Sequence, residues 1–286
     1  VPEHAFFKKA GPWAIAHRGG RGLWPENTLV AFENAAALGV DVLEMDLRVT
    51  SDGVFVVIHD RSVDRTTNGS GRVDSMTFAE LRKLDAGYRF SAGAERGFPY
   101  RGKAIVVPTF DEVLARFPSA SLNVEMKDFN ATQAARLCEV IRGVNVTEHV
   151  LVASAGHDAM AAFRATCPSV ATSVTAREGF TLYVLYRLGL TSLYRGPATA
   201  IQMPESLGRG PTVEAGLVRL ANEINAPVQV WTVNKEADMR RLLDLGVHGI
   251  MSDFPDRLLR VLNRLDTGSI RNSDSAEVSP ERPGTR

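Results

Sequence analysis

Short runs of aliphatic and β-branched residues alternate along the chain with longer stretches whose apolar positions recur every three to four residues. Such alternation predicts parallel strands joined by crossover helices, since the chain must return to the same end before each new parallel strand begins. Strands are expected at about 13–17, 42–48, 121–126, 150–154, 170–174, 199–202, 227–232 and 248–252, with helical segments between most of them. Eight such units close a (β/α)₈ TIM barrel, and a doubly wound open sheet is the competing architecture. The first helix is well delimited: Asn27 is a candidate cap, Leu29, Phe32 and Ala36 fall on one face, and Gly39 follows the last turn. Between the second and third barrel strands a long segment, about 60–110, interrupts the alternation. It is rich in turn residues and holds a short helix announced by Thr77 and Glu80 as a capping box. The expected organisation is one α/β TIM-barrel domain over 1–265, with this insertion after the second-strand hairpin, where insertions shape binding clefts. Residues 266–286, polar and rich in Ser, Pro and charge, are expected to form a disordered tail.

The alternation of strand side chains also sorts the chemistry. In VLEMDL, Val42, Glu44 and Asp46 share one face, and Leu43, Met45 and Leu47 share the other. In a barrel the outward apolar set packs on helices, so both carboxylates project inward, where charge is costly without a cation or a basic partner. A divalent metal satisfies that demand; an ion pair with Arg48 or Arg61 is the alternative. The following Ser51-Asp52-Gly53-Val54 is a hairpin signal. With Asp52 and Gly53 as a two-residue loop, Asp46 is expected to face His59 and Glu44 to face Arg61. A histidine beside a metal carboxylate can transfer protons at neutral pH.

WAIAH delivers His17 to the carboxyl end of the first strand, followed by Arg18, Gly19 and Gly20. A guanidinium next to a proton-transfer group suits an anionic phosphoryl centre. LNVEMKD repeats the second-strand pattern, with Asn123, Glu125 and Lys127 on one face. Glu125 can complete an oxygen-rich cation site with Glu44 and Asp46, and Lys127 can neutralise a phosphate oxygen; a plain Glu125–Lys127 ion pair is the alternative. Gln202 and Trp231 offer an amide and an aromatic wall at the barrel mouth, with core packing as the bland reading of Trp231. The stretch FTLYVLYRLGLTSLYRG at 180–196 reads as a helix covering the barrel, or as a seat for an acyl chain or a membrane surface.

Composition narrows the partners. Lys plus Arg and Asp plus Glu both count 33, so no net field draws the chain to nucleic acid or an anionic membrane, and a small molecule is the expected partner. Oligomeric state is not legible. The two cysteines, Cys138 and Cys167, fit no zinc or redox spacing and are expected to be buried structural thiols. No apolar run is long enough to cross a bilayer. The chain opens at Val1, which leaves a removed signal peptide, and with it a secreted or periplasmic location, open.

Taken in order, AHRGG, PENT, the ExD of the second strand, a DG hairpin ending in HD, NVEMK, IQMPE, VWTVN and GIMSDFPD closely resemble the glycerophosphodiester phosphodiesterase family, over about 12–262. The resemblance implies a TIM barrel that hydrolyses glycerophosphodiesters to an alcohol and glycerol 3-phosphate with one divalent cation. It implies proton transfer by His17 and His59, metal ligation by Glu44, Asp46 and Glu125, and phosphate contact by Arg18 and Lys127. Oxygen donors point to Mg²⁺ or Ca²⁺. His248 stands where that family usually has an acidic residue, which touches only a supporting contact. The alternatives are lysophospholipase D action on a lysophospholipid and a barrel that binds phosphodiesters without cleaving them.

Overall fold

The computed structural model describes residues 4–8, 10–91, 97–206 and 210–265, so the expected tail lies outside the described residues. Its strands are β1 (Trp13–Ala16), β2 (Val42–Val49), β3 (Phe55–Val57), β4 (Ser121–Met126), β5 (Val150–Ala153), β6 (Ala171–Thr172), β7 (Ile201–Pro204), β8 (Val228–Trp231) and β9 (Gly249–Ser252). Among the described residues, all but β3 lie on one parallel path in the order β6-β5-β4-β2-β1-β9-β8-β7. A parallel bridge from Ser173 to Ala200 joins the two ends, backed by Val174 N donating to Ala200 O at 3.0 Å. The sheet is thereby closed into the expected TIM barrel.

Helices α1 (Leu29–Leu38), α2 (Phe78–Leu81), α3 (Phe110–Arg116), α4 (Ala131–Gly143), α5 (His157–Thr166), α6 (Ala176–Arg187), α7 (Ala215–Glu223), α8 (Glu236–Asp244) and α9 (Pro255–Val261) follow in chain order. Outward Leu43, Met45 and Leu47 pack with Phe32 and Phe110 from the covering helices, as strand alternation requires. Inside the barrel, Ile15, Val42, Leu151, Ala171, Ala200 and Met251 form an apolar layer with Trp13. Phe6 and Phe7, in a 3₁₀ turn before β1, join this layer, the Phe7 and Trp13 ring centroids lying 5.6 Å apart. Polar groups inside the barrel are therefore confined to the carboxyl end, above this apolar floor.

Several local expectations are corrected. Thr28, not Asn27, caps α1, its side chain accepting from Ala31 N; Asn27 instead takes a left-handed φ of 58°. The buried face of α1 is Ala31, Phe32 and Ala35, whereas Ala36 is exposed. The hairpin loop has three residues, because Thr50 N donates to Val54 O and Gly53 N donates to Thr50 O, both at 3.0 Å, with Gly53 at φ 84°. Register follows as Leu47 opposite Val57 and Arg48 opposite Val56, one residue away from the two-residue-loop expectation. Asp46 O accordingly accepts from Ile58 N rather than facing His59, and Arg61 turns to Asp128 instead of Glu44. The cysteines are buried but are not thiols. Cys138 of α4 and Cys167 after α5 form a disulfide with Cα atoms 5.7 Å apart, since the two helices pack side by side.

Candidate active site

The site begins with the inward positions of two neighbouring strands. Asp46 of β2 sits in register with Glu125 of β4, and Glu44 with Asn123. Each acid offers an oxygen within 4.8 Å of the other two. Glu44 and Asp46 are 3% and 1% exposed. Burial, together with Asp46 beside it, pushes the Glu44 carboxyl up to about 7. Burial pushes Asp46 the same way, but Lys127 and Arg18 outweigh it and hold that carboxyl below its ordinary range. Lys127 Nζ lies 2.8 Å from Glu125 and 3.2 Å from Asp46. An ammonium already bridging two of the acids, and a third acid left destabilised as an anion, are what a divalent cation would relieve. The all-oxygen donor set fits Mg²⁺ or Ca²⁺.

The turns around the acids fix them further. Arg18 takes a left-handed φ of 52°, which lets its backbone N–H donate to Glu44 Oε2 at 2.7 Å while its Nε lies 3.2 Å from Asp46. Such a backbone costs roughly 1 kcal/mol or more in a residue with a Cβ, so packing must enforce it. Gly19 next to it has φ 77°, and a Cβ there would lie 2.8 Å from Ala31 of α1. Asn27 Nδ2 donates to Asp46 Oδ2 at 2.9 Å, and Asn27 Oδ1 accepts from Asp46 N at 3.3 Å.

Both histidines are held in one way. His17 Nδ1 donates to Asp253 Oδ1 at 2.6 Å, and His59 Nδ1 donates to Asp60 Oδ1 at 2.6 Å. Asp253 also accepts from Arg21 Nε and Asn234 Nδ2, both at 2.8 Å, and these partners with His17 overcome burial to hold its carboxyl at about 2. Asp60 is paired with Arg65, which also binds Glu26, the partner of Arg18. One chain of charge thus runs from His59 to the acids. His59 itself titrates below its ordinary value, burial outweighing the pull of Asp46 and Asp60.

His17, Arg18, Glu44, His59, Glu125 and Lys127 open on a cavity of about 580 Å³, and Asp46 lies beneath them. Gln202 and Trp231 line the same cavity on its other side with Val174, Phe180, Tyr183 and Met203. Trp231 is 42% exposed at the mouth, against its core-packing alternative. The alternative pairing of the second-strand acids fails too, because Arg48 and Arg61 both bind Asp128. Lys127 does pair with Glu125, as the plain reading of that strand anticipates. His248 accepts from Val228 N at the opposite end of its strand, remote from the cavity. From the insertion, residues 60–91 and 97–109 build a small core of their own around Val63, Val73, Leu81 and Ile105. The sequence reading missed Asp253, Asp60, Glu26 and Asn27. The one signal that could have flagged Asp253 is its position just past the carboxyl end of a barrel strand.

Fold and site together define an α/β-barrel hydrolase with an acidic, cation-ready cluster and paired imidazoles at the strand carboxyl ends. The sequence pattern of the glycerophosphoryl diester phosphodiesterase family matches residues 17–257, and the chain belongs to this family. A glycerophosphodiester phosphodiesterase of Bacillus altitudinis is 33% identical over 253 residues, covering 86% of this chain and 96% of its own. A crystal structure of a glycerophosphodiester phosphodiesterase from Agrobacterium tumefaciens superposes with a TM-score of 0.69 at 25% identity, covering 86% of this chain and 98% of that one. A phosphodiesterase from Oleispira antarctica, solved in complex with the product sn-glycerol-3-phosphate, matches with a TM-score of 0.68 at 25% identity, covering 87% and 96%.

Proposed function

We propose that this chain hydrolyses glycerophosphodiesters to an alcohol and glycerol 3-phosphate, using one divalent cation held by Glu44, Asp46 and Glu125. The observation that carries the reading is the convergence of these three acids and two carboxylate-held imidazoles on one cavity. When bound, Mg²⁺ or Ca²⁺ supplies Lewis-acid polarisation of a phosphoryl oxygen. His17 and His59 commit Nδ1 to Asp253 and Asp60, so Nε2 of each is the atom that moves a proton. One imidazole takes the proton of the attacking hydroxyl as its oxygen bonds to phosphorus. The other protonates the departing alcohol oxygen as the second P–O bond breaks, and one water is consumed overall. The attacking hydroxyl belongs to water, or to the substrate's own glycerol when a cyclic phosphate precedes hydrolysis. Asp253 and Asp60 orient the rings and stabilise the imidazolium that forms. Arg18 and Lys127 balance charge on the non-bridging oxygens.

A second reading, lysophospholipase D action with peripheral lipid contact through 180–196, draws support from the apolar side of the mouth. Phe180 is 69% exposed there, and Leu188, Leu190 and Leu193 are exposed further along the same segment. The Cys138–Cys167 disulfide supports a working location in an oxidising compartment, secreted or periplasmic. Choline release from glycerophosphocholine and from lysophosphatidylcholine, each with Mg²⁺, with Ca²⁺ and with chelator, tests the proposal. Cation-dependent release from glycerophosphocholine is expected. Undiminished release under chelator, or none from either substrate, would overturn it, and faster release from the lysolipid would favour the second reading.

A further inference from the structure

His59 stands on a piece of chain that is not held by a strand ladder. Ile58 N makes the last bond to β2 after β3 ends at Val57, and backbone pairing resumes only where Arg61 O accepts from Val73 N. Between them, no backbone group of His59 or Asp60 pairs with another backbone group among the described residues. Side chains replace the ladder. Arg48 lies on β2 two residues after Asp46, and so on the same face, one strand repeat of about 6.6 Å nearer the carboxyl end. Its Nε donates to His59 O at 2.7 Å, and its Nη1 donates to Asp128 Oδ2 at 2.8 Å. Asp128 follows Lys127 just past β4, takes a left-handed φ of 57°, and accepts from Arg61 Nε and Nη2 at 2.8 and 3.0 Å. Arg61 and Arg48 hold its carboxyl well below the ordinary range, so it is an anion at neutral pH. Lys127 N, donating to Leu47 O at 3.0 Å, anchors that corner to β2. The Arg48 side chain is 13% exposed, yet neither Arg48 nor Asp128 is among the described residues that line the cavity.

We propose that Arg48, tethered by Asp128, is a positioning residue that sets where the His59 imidazole stands relative to the acids of β2 and β4. Asp60 orients the ring through Nδ1, and Arg65 ties Asp60 to Glu26 in the turn before α1. Arg48 supplies the tie to β2. Its stem rises from the strand that carries Glu44 and Asp46, so these acids and the proton-transfer group share one rigid base. A planar guanidinium serves a carbonyl through Nε and a carboxylate through Nη1 at once, in a fixed geometry that a lysine ammonium cannot reproduce. Ion pairs near the surface contribute little to stability, whereas displacing a catalytic group by about 1 Å can cost roughly 10²-fold in rate. The signature of this pair is therefore kinetic. The inference rests on the proposed function, in which His59 Nε2 moves a proton, and deepens it by naming the residues that hold that atom in place.

The test is a double-mutant cycle on glycerophosphocholine turnover by the full chain with saturating Mg²⁺ or Ca²⁺. Arg48→Met should lower kcat roughly 10- to 100-fold with KM held within about two-fold. Asp128→Asn, at a half-exposed position where the change is little able to disturb folding, should lower kcat roughly 3- to 10-fold. In a His59→Ala background both penalties should shrink to within about two-fold, because the group they position is gone. The imidazole ¹H and ¹⁵N resonances of His59, read without substrate, should shift in both variants while those of His17 stay in place. Wild-type kcat in both variants, penalties that persist undiminished in the His59→Ala background, or unmoved His59 resonances would each overturn the positioning role. Full turnover by His59→Ala alone counts instead against the proposed function, and the resonances still judge whether Arg48 and Asp128 place the ring.

Discussion

The two sides of the barrel mouth solve different problems. On the side of β1, β2, β4 and β9, the cavity wall carries His17, Arg18, Glu44, Glu125 and Lys127, with Asp46 beneath and Asp253 behind. Most of these groups are fixed by at least two others: Asp46 by Asn27, Arg18 and Lys127, and Asp253 by His17, Arg21 and Asn234. On the side of β5 to β8, no Asp, Glu, Lys or Arg is among the described residues that line the cavity, and aromatic and small side chains take their place. Charge in a dry site must be pre-oriented to act on a reacting centre, and the dense hydrogen bonding of the first side provides that orientation. The second side mainly supplies area and shape, and Phe180 and Trp231 at its mouth are exposed. Chemistry and substrate grip are thereby separated in space, and substitutions on the two sides should fail differently.

The largest effect belongs to the acids. Glu44→Gln keeps an acceptor for Arg18 N but removes an anion, and kcat is expected to fall by roughly 10³-fold or more, as is the wild type under chelator. Mg²⁺ or Ca²⁺ should raise the wild-type melting temperature, by mass action, and leave that of Glu44→Gln nearly unmoved. A full cation-induced shift in the variant would break the assignment of this side. Next come the histidines: His17→Ala and His59→Ala should each lower kcat by roughly 10²- to 10⁴-fold with the fold retained. Asp253→Asn should cost roughly 10²-fold or more by releasing the His17 ring. It carries a stability signature as well. The folded carboxyl titrates at about 2, below its ordinary 3.8, so it stabilises the fold above pH 3.8 and that contribution is lost as pH falls toward 2. Melting measured from pH 5 to pH 2 should therefore fall more steeply in the wild type than in Asp253→Asn.

This division was only partly legible in the sequence. Strand alternation placed Glu44, Asp46 and Glu125 on inward faces, since a period of two leaves no other choice once the outward set is apolar. The clamps around them were not legible. Asn27 reads as a helix cap until its left-handed backbone turns the amide toward Asp46, and Asp253 lies 236 residues from the His17 it holds. The hairpin register failed by one residue because Thr50 closes the loop, its hydroxyl accepting from Val54 N and donating to Asp52. His59 reaches the site even so, because β3 ends at Val57 and the chain leaves strand geometry after the last bond to β2, from Ile58 N to Asp46 O. On the neutral side, Gln202 and Trp231 were visible as inward positions, but the unpartnered amides around Gln202 appear only when the strands are set side by side.

The disulfide lies on the seam between the two sides, for α4 follows β4 and α5 follows β5. It spans 29 residues, and closing a loop of that length is worth about 3–4 kcal/mol in the chain-entropy account. Replacing both cysteines by alanine should lower stability by about that amount in a denaturant titration. Below the melting temperature kcat should stay within about two-fold, since the bond touches neither wall of the cavity. A large fall in kcat with little loss of stability would mean that the seam, rather than each side separately, positions the catalytic groups.

The smallest effect is expected at the mouth of the neutral side, and it is the most informative about the separation itself. Trp231→Ala removes an aromatic face from a residue 42% exposed, so the fold should lose no more than about 1 kcal/mol. If this wall only grips the leaving alcohol, ground state and transition state lose equally: KM should rise about 3- to 10-fold while kcat holds within about two-fold. Phe180→Ala, more exposed still, should act in the same direction and more strongly on lysophosphatidylcholine than on glycerophosphocholine, because an acyl chain gains more from apolar area than a choline does. Should Trp231→Ala instead lower kcat and leave KM alone, the aromatic wall would be contributing in the transition state. The two sides would then act as one unit, and a neutral wall without a single charge would have to be given a share in the chemistry.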